Sequence, residues 1–272
     1  MPRPLVGVRV VDFTTNLPGP YTTWQLLQLG AEVTKIEPPR GDPARHQPHL
    51  YRRLNTGKEV VSLDLQTPEG RARAEALVRD AHVLVEGFRP GKLAKLGFSS
   101  ATCQGWVPEL VYCSISAYGQ AGPRRDEPGH DLNAQALSGL LSLGGSAPHG
   151  LPIPVADLSA AADAVTRILA ALRQAERTGE GSVVDVAMVD TVTRWADLWG
   201  EGIRLDEMAH DVLPAAAHGP AGPLLRRLRA EGIHALPHYG CFRCRDGAWI
   251  AMGIVDEGHF WRAACRAMGL RG

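Results

Sequence analysis

Two short segments of the sequence combine ionisable side chains with the signals that open a helix. In the first, Gly129, His130, Asp131 and Asn133 begin a helical stretch, and in the second Asp157 opens a longer one. Free backbone N–H groups and the positive end of the helix dipole collect at such starts and stabilise an oxyanion. Proton abstraction next to a carbonyl needs a base and also donors for the resulting enolate. The segments therefore predict acid–base chemistry on a carbonyl compound, with Gly129, Asp131 and Asn133 on the oxyanion or substrate side.

Each of the two ionisable residues also has a purely structural explanation. An aspartate directly before an apolar helix is a common N-cap, so Asp157 alone could serve only to cap its helix. His130 alone could be an ordinary loop histidine. The residue types by themselves leave both explanations open.

The first half of the chain alternates short β-branched runs with helical patterns. Strands are predicted at Val6–Phe13, Glu32–Glu37, Val60–Leu65, Val83–Glu86 and Leu110–Ser116, and helices at Tyr21–Leu29 and Pro68–Arg79. Strands that alternate with helices predict a doubly wound, mostly parallel, Rossmann-like α/β sheet with helices on both faces.

The clearest helical pattern in the sequence follows Asp157. Apolar residues recur there at the i, i+3, i+4, i+7 spacing, namely Leu158, Ala161, Ala162, Val165, Ile168, Leu169 and Leu172. Asp157 is the predicted N-cap of this helix, and Gly179 is its predicted C-cap.

A change in composition divides the sequence into a large and a small part. Residues 213–237 start with a proline-, alanine- and glycine-rich run and are predicted to be a linker. Residues 1–212 then form a large α/β domain. Residues 238–272 are predicted to be the start of a smaller, incomplete α+β domain, in which Arg245-Asp246-Gly247 between two β-type runs indicates a hairpin.

Several cofactor motifs are missing from the sequence. Residues 14–20, after the first strand, lack the glycine spacing of a dinucleotide fingerprint, and residues 57–59 lack the rest of a P-loop. Cys241 and Cys244 have CxxC spacing, but a single pair does not predict a zinc site. We therefore expect no NAD, FAD or metal.

Charge and cysteine content limit the possible partners and compartment. Twenty-nine basic and twenty-nine acidic residues cancel, so no global field would attract nucleic acid or an anionic membrane. Five cysteines, an odd number, and the lack of a hydrophobic signal core at the start are typical of a cytoplasmic protein with reduced thiols.

An ordered series of short motifs runs through the whole chain. It comprises Leu17-Pro18-Gly19-Pro20-Tyr21, residues 35–42 (KIEPPRGD), Asn55-Thr56-Gly57-Lys58, Leu63-Asp64-Leu65, Phe88-Arg89-Pro90-Gly91, residues 116–123 (SAYGQAGP), Gly129-His130-Asp131, Ala156-Asp157 and residues 177–188. From near residue 5 to the last residues, this series resembles the class III CoA-transferase family, which includes L-carnitine dehydratase and the bile-acid-inducible protein F. Gly-His-Asp at residues 129–131 is similar to its α-methylacyl-CoA racemase-like branch.

The resemblance implies roles for the residues singled out above. Asp157 matches the catalytic aspartate, which forms acyl anhydride and aspartyl-CoA intermediates in transferases and moves the α-proton in racemases. His130 would be the second acid–base group of a racemase. A third acid is expected near residue 257, where Glu257 and Asp256 compete for the role.

The resemblance also implies a coenzyme A site and a homodimer. The adenine would lie on the backbone of Leu63, Asp64, Leu65 and Gln66, and the phosphate partners would be Arg40, Lys58 and Arg89. Coenzyme A enters as part of the acyl-CoA substrate, and no further cofactor is implied.

The sequence thus predicts an α-methylacyl-CoA racemase or epimerase that works by 1,1-proton transfer through an enolate. One alternative is a CoA-transferase that moves CoA between carboxylic acids through Asp157. The other is a truncated, non-catalytic CoA-binding paralogue. The acyl group is not determined.

Overall fold

A sheet of six parallel strands forms the centre of the computed structural model, which describes residues 3–142, 152–198, 239–254 and 258–269. The strands are β1 (Arg9–Phe13), β2 (Glu32–Glu37), β3 (Glu59–Ser62), β4 (Val83–Glu86), β5 (Val111–Ser116) and β6 (Val183–Ala187). Their order is β3-β2-β1-β4-β5-β6, and each neighbouring pair is parallel. The prediction of a doubly wound α/β sheet is confirmed.

Helices follow most of the strands. They are α1 (Pro18–Gln28), α2 (Pro48–Asn55), α3 (Pro68–Arg79), α4 (Lys92–Lys95), α5 (Ser100–Trp106), α6 (Asp131–Leu137), α7 (Val155–Thr178), α8 (residues 188–198) and α9 (Gly258–Ala267). Short 3-10 turns lie at Pro43–His46 and Leu140–Ser142.

The alternation of side chains along β1 separates two layers of packing. Val11 and Phe13 join a core that includes Val78 of α3, on one face of the sheet. Asp12 lies between them and points to the opposite face, where it accepts a hydrogen bond from Thr23 of α1. Helix α1 packs against α7, which also packs on β5 and β6. Helices therefore cover both faces.

Local signals set the bounds of the elements that were predicted best. Strands β2 and β4 and helix α3 span the predicted residues. Helix α3 begins after Thr67, whose hydroxyl accepts the N–H of Gly70 at 3.0 Å. Helix α7 ends at Gly179, a left-handed residue with φ of 73°, as predicted.

The start of α7 and the sixth strand differ from the prediction. Pro154 occupies the N-cap position, so Asp157 lies inside the first turn and not before it. Strand β6 was not predicted, although exposed Val183 and Asp185 alternate with buried Val184 and Val186. This alternation is the period of a strand with one face covered.

The chain divides into two compact units, Met1–Ser138 with Gly150–Arg194, and Gly139–His149 with Trp195–Gly272. Within the second unit, β7 (Tyr239–Arg243) and β8 (Trp249–Gly253) pair as an antiparallel hairpin, as expected from the turn at residues 245–247. The predicted linker, residues 213–237, lies outside the described residues, so the domain boundaries stay predictions.

Candidate active site

The loops that follow the strands gather at one edge of the sheet, because all six strands run in the same direction. The strand order reverses between β1 and β4, and ligands of open α/β sheets bind at such a switch point. Arg40 follows β2, residues 63–66 follow β3, and Arg89 follows β4. The topology therefore brings most of the predicted CoA residues to the same edge.

The predicted CoA residues at this edge differ in their degree of solvent exposure. Arg40 and Arg89 are exposed, as are Asp64 and Gln66, whereas Leu63 is buried and Leu65 is half-buried. The Gln66 N–H donates to the Asp64 carboxylate at 2.9 Å. The loop after β3 thus contains one local hydrogen bond and two exposed residues, Asp64 and Gln66.

Lys58 is not part of this exposed set. Its ammonium is enclosed and lies 3.1 Å from Asp12 Oδ2, 2.8 Å from Thr23 Oγ1, 3.1 Å from Asn55 Oδ1 and 3.0 Å from the Pro20 carbonyl oxygen. An ammonium has three N–H donors, so four acceptors leave none for a phosphate. We correct the expectation that Lys58 contacts CoA phosphate: it ties β1 to α1 and α2.

The turn between β1 and α1 is closed by a second buried ion pair. Lys35 Nζ lies 3.0 Å from Asp42 Oδ2 and donates to the Thr14 carbonyl at 2.6 Å. Gly19 packs so closely on Thr14 that an added Cβ would meet the threonine side chain. The ion pair and this packing close the turn between β1 and α1.

The start of α7 is capped by a residue of α6. The Asp131 carboxylate accepts the N–H of Ala156 at 2.7 Å and that of Asp157 at 3.3 Å. Its other oxygen accepts from Gln135 Nε2 at 2.5 Å. The N–H groups that we expected to be free for an oxyanion at the start of α7 are therefore bonded to Asp131 instead.

The Asp157 carboxyl is half-buried, and no side chain among the described residues donates a hydrogen bond to it. Burial and, after it, the charge of Asp131 raise the pKa of Asp157 to about 7. A carboxyl with such a pKa is a stronger nucleophile and a stronger base than an ordinary aspartate. Asp157 is thus a half-buried carboxyl with a raised pKa, as expected of a candidate reactive group.

His130, Gly129 and Asn133 surround the start of α6. His130 is exposed and is the N-cap residue, and its N–H donates to Asn133 Oδ1 at 3.0 Å. A Cβ added to Gly129 would lie 2.7 Å from Ala117 Cβ and 2.9 Å from the Tyr118 hydroxyl, so the segment lies tightly against the loop after β5. Because Asp131 follows His130 directly, the structure brings His130 and Asp157 to the same α6–α7 junction.

Two buried polar residues, one in α6 and one at the end of β4, were missed in the sequence. Gln135 lies one helical turn after Asp131, and this i, i+4 spacing was the available signal. Glu86 ends β4, where its carboxylate is buried and accepts the Phe88 N–H at 2.8 Å. Burial raises the pKa of Glu86 to about 6, although hydrogen bonds from Ser114 and Phe88 oppose this rise.

The remaining predicted positions belong to the second compact unit, and two of them fall outside the described residues. Asp256 and Glu257, the candidates for the third acid, fall in the undescribed residues 255–257. Cys241 and Cys244 are free thiols in and just after β7. In the described parts of the chain, no group of three or more His, Cys, Asp or Glu side chains could hold a metal, and no helix is long and apolar enough to cross a membrane.

Comparison with known proteins gives a consistent set of similarities. A family model described as CoA-transferase family III matches residues 5–272. Over 276 residues the chain is 36% identical to the alpha subunit of succinyl-CoA–L-malate CoA-transferase from Chloroflexus aurantiacus, which covers 96% of this chain and 60% of that protein. It is 37% identical to succinate–glutarate CoA-transferase from Agrobacterium fabrum over 206 residues, 69% of this chain and 51% of that one. The chain thus spans about half to three fifths of the length of these relatives.

Solved structures agree with this likeness. A CAIB/BAIF family protein from Brucella suis matches with a TM-score of 0.77 and 27% identity, over 99% of this chain and 71% of that one. Rv3272 from Mycobacterium tuberculosis matches with a TM-score of 0.75 and 30% identity, over 98% and 68%. The enzymes that these comparisons name are CoA-transferases, so they favour the transferase alternative over the racemase that we expected from Gly-His-Asp.

Proposed function

Because this chain belongs to CoA-transferase family III, as its motifs predicted, we propose that it moves coenzyme A from an acyl-CoA to a carboxylic acid, with Asp157 as the nucleophile. The observation that carries the proposal is the state of the Asp157 carboxyl. It is half-buried, it receives no hydrogen bond from the described side chains, and its pKa is raised to about 7. Once ionised, such a carboxylate is not engaged by another described side chain, and its raised pKa makes it a stronger nucleophile than an ordinary aspartate.

The chemistry needs only the carboxylate and the two substrates. Asp157 attacks the thioester carbonyl, the C–S bond breaks, and CoA leaves as a thiolate, which gives a mixed anhydride on Asp157. The thiolate then attacks the Asp157 acyl carbon and releases the donor acid, so that CoA becomes an aspartyl thioester. The acceptor carboxylate and the CoA repeat these two steps in reverse, and Asp157 is regenerated.

The loops at the carboxyl edge of the sheet supply the CoA site in this proposal. Arg40 and Arg89 are exposed guanidinium groups on loops that flank the β1–β4 switch point, and guanidinium suits phosphate. The loop of residues 63–66 offers backbone groups to the adenine. The proposal includes the homodimer that the family resemblance implies.

The test is an assay of CoA transfer, with chemical trapping of the intermediate. The protein is mixed with succinyl-CoA and an acceptor acid such as malate, then with hydroxylamine, and peptides are analysed by mass spectrometry. We expect transfer and a hydroxamate on Asp157, and Asp157→Asn should show neither. Transfer that persists in Asp157→Asn would rule out this nucleophile.

A second candidate, α-proton exchange, is favoured by one observation. His130 is exposed and lies directly before Asp131 at the junction, where a second acid–base group would be needed. Incubation with 2-methylacyl-CoA in deuterated water, without an acceptor acid, separates the two activities. Deuterium at the α-carbon with no Asp157 adduct would favour the racemase, whereas neither reaction, together with stabilisation by CoA, would indicate a binding protein.

A further inference from the structure

Helix α7 starts without a cap of its own. Its N-cap residue is Pro154, which has no side-chain acceptor, so the N–H groups of the first turn need acceptors from elsewhere. Asp131 fills this need from α6, through its bonds to Ala156 and Asp157. The nucleophile thus sits on a turn whose position is set by another helix.

The capping carboxylate is itself fixed. Gln135 is only 1% exposed and donates Nε2 to the second oxygen of Asp131 at 2.5 Å. Its own Oε1 is buried without a hydrogen-bond partner in the described part of the chain. A flipped amide would place Oε1 against a carboxylate oxygen, so the orientation with Nε2 toward Asp131 is the one that makes a hydrogen bond to the carboxylate. Three N–H donors therefore converge on one side chain.

We propose that Asp131, held by Gln135, is a positioning residue for Asp157: it fixes the first turn of α7 from outside and keeps a second carboxylate beside the reacting one. This inference rests on the proposed function for its catalytic meaning. Asp131 acts through Asp157 and has no bond to make or break in the reaction. The device differs from an ordinary helix cap because it also controls when the nucleophile is charged.

The charged groups around the start of α7 support this assignment. Helix α1, which packs on α7, carries no charged residue, and α6 contributes Asp131 with His130 at its cap. On β6, Asp185 accepts the Gln120 N–H. On α7 itself, Asp163 lies almost two turns after Asp157 and forms ion pairs with Arg167 and Arg194. Among the described residues, Asp131 is the one whose charge raises the pKa of Asp157.

The test compares Asp131→Asn with the wild type by an NMR titration of the Asp157 carboxyl carbon, assigned with Asp157→Asn. Asparagine keeps an acceptor for the first turn of α7, and Gln135 can flip to pair with it, so the fold should survive. We expect the Asp157 titration midpoint to fall by roughly one pH unit, a modest effect for a neighbouring charge. The midpoint of the transfer pH profile should fall with it. Asp126→Asn, an exposed acid on the preceding loop, is the control and should leave both midpoints in place.

An unchanged Asp157 midpoint in a folded Asp131→Asn protein would overturn the inference. The titration does not depend on turnover, so it remains decisive even if the protein transfers no CoA and the proposed function fails. Should Asp131→Asn not fold, Gln135→Met takes its place, because it removes one anchor and leaves the charge. The Ala156 amide should then exchange with solvent roughly tenfold faster as the junction opens more often, and unchanged exchange would refute the anchoring role.

Discussion

Lys58 Nζ lies 3.1 Å from Asp12 Oδ2, and both side chains are completely enclosed by protein. Burial alone would raise the pKa of Asp12, but the charges of Lys58 and Lys35 outweigh it and hold that pKa well below its usual range. Burial lowers the pKa of Lys58, and the charge of Asp12 opposes that fall, so each member offsets part of the cost of burying the other's charge. Lys58, which the motif series predicted to bind CoA, instead forms a buried ion pair on one face of the sheet.

Lys58→Met should destabilise the fold strongly, because it leaves the Asp12 carboxylate buried without its cation. Breaking a buried pair by removing one partner costs about 3–5 kcal/mol. Urea unfolding followed by circular dichroism measures this loss. Arg40→Met, which removes an exposed cation from the neighbouring loop, is the control and should change the free energy of unfolding by less than about 0.5 kcal/mol. A Lys58→Met protein of normal stability that binds CoA poorly would restore the phosphate role.

Arg40→Ala and Arg89→Ala should weaken CoA binding while stability is kept, because both guanidinium groups are exposed. A lost charge-assisted hydrogen bond to phosphate costs about 1.5–3 kcal/mol, or roughly ten- to a hundredfold in Kd. Isothermal titration with CoA at two salt concentrations measures the loss and its electrostatic part. Arg53→Ala, an exposed arginine at the end of α2, serves as the control. Equal affinities for all three variants would move the phosphate site elsewhere.

Glu86→Gln should remove a pH dependence from the stability. The pKa of Glu86 is raised to about 6 in the folded chain, so folding favours its protonated form. The resulting stability is fully present below the unfolded pKa, near 4.5, and is lost as the pH rises through 6. The wild type should therefore lose about 2 kcal/mol relative to Glu86→Gln between pH 4 and pH 7. Parallel stability curves for the two proteins across this range would contradict the assignment.

Gly129→Ala should disturb the site through a steric clash. The added methyl group would overlap Ala117 and Tyr118, so the start of α6 must move, and His130 and Asp131 move with it. A displacement of about 1 Å at a reacting group can cost a hundredfold in rate. The control is Gly105→Ala in α5, where a Cβ meets nothing within 4 Å and should stabilise by about 0.5–1 kcal/mol. The rate of CoA transfer and the melting temperature are measured for both variants. A fully active Gly129→Ala protein would show that the close approach of Gly129 to Ala117 and Tyr118 has no role in the reaction.

The parts of the fold that were predicted well are those with local signals. Strands β2 and β4 are short β-branched runs, and α3 has a threonine cap, a proline in its first turn and a regular apolar stripe. Such patterns depend only on neighbouring residues, so they can be recognised without knowledge of the fold. Asp157 and His130 were proposed as site residues in the same way, from their places at helix starts, and their roles stay predictions.

The misjudged residues depend on partners far away in the chain. Lys58 is buried because Asp12, 46 residues earlier, lies beside it, and nothing near Lys58 indicates this. The same holds for Asp157, which was predicted to be an N-cap. The acceptor for its N–H is Asp131, 26 residues earlier, and no local pattern indicates this partner. Hydropathy and capping rules treat each segment alone, and contacts across the sheet override them.

The bond from Ala156 to Asp131 spans 25 residues of sequence, so its formation closes a ring in the chain. The entropy of ring closure grows only with the logarithm of the ring length, and a doubling costs about 0.6 kcal/mol. A change in the length of the intervening stretch would therefore cost little closure entropy while this bond is kept. The Asp131–Ala156 bond, rather than the length of chain between the two residues, therefore sets where the first turn of α7 begins.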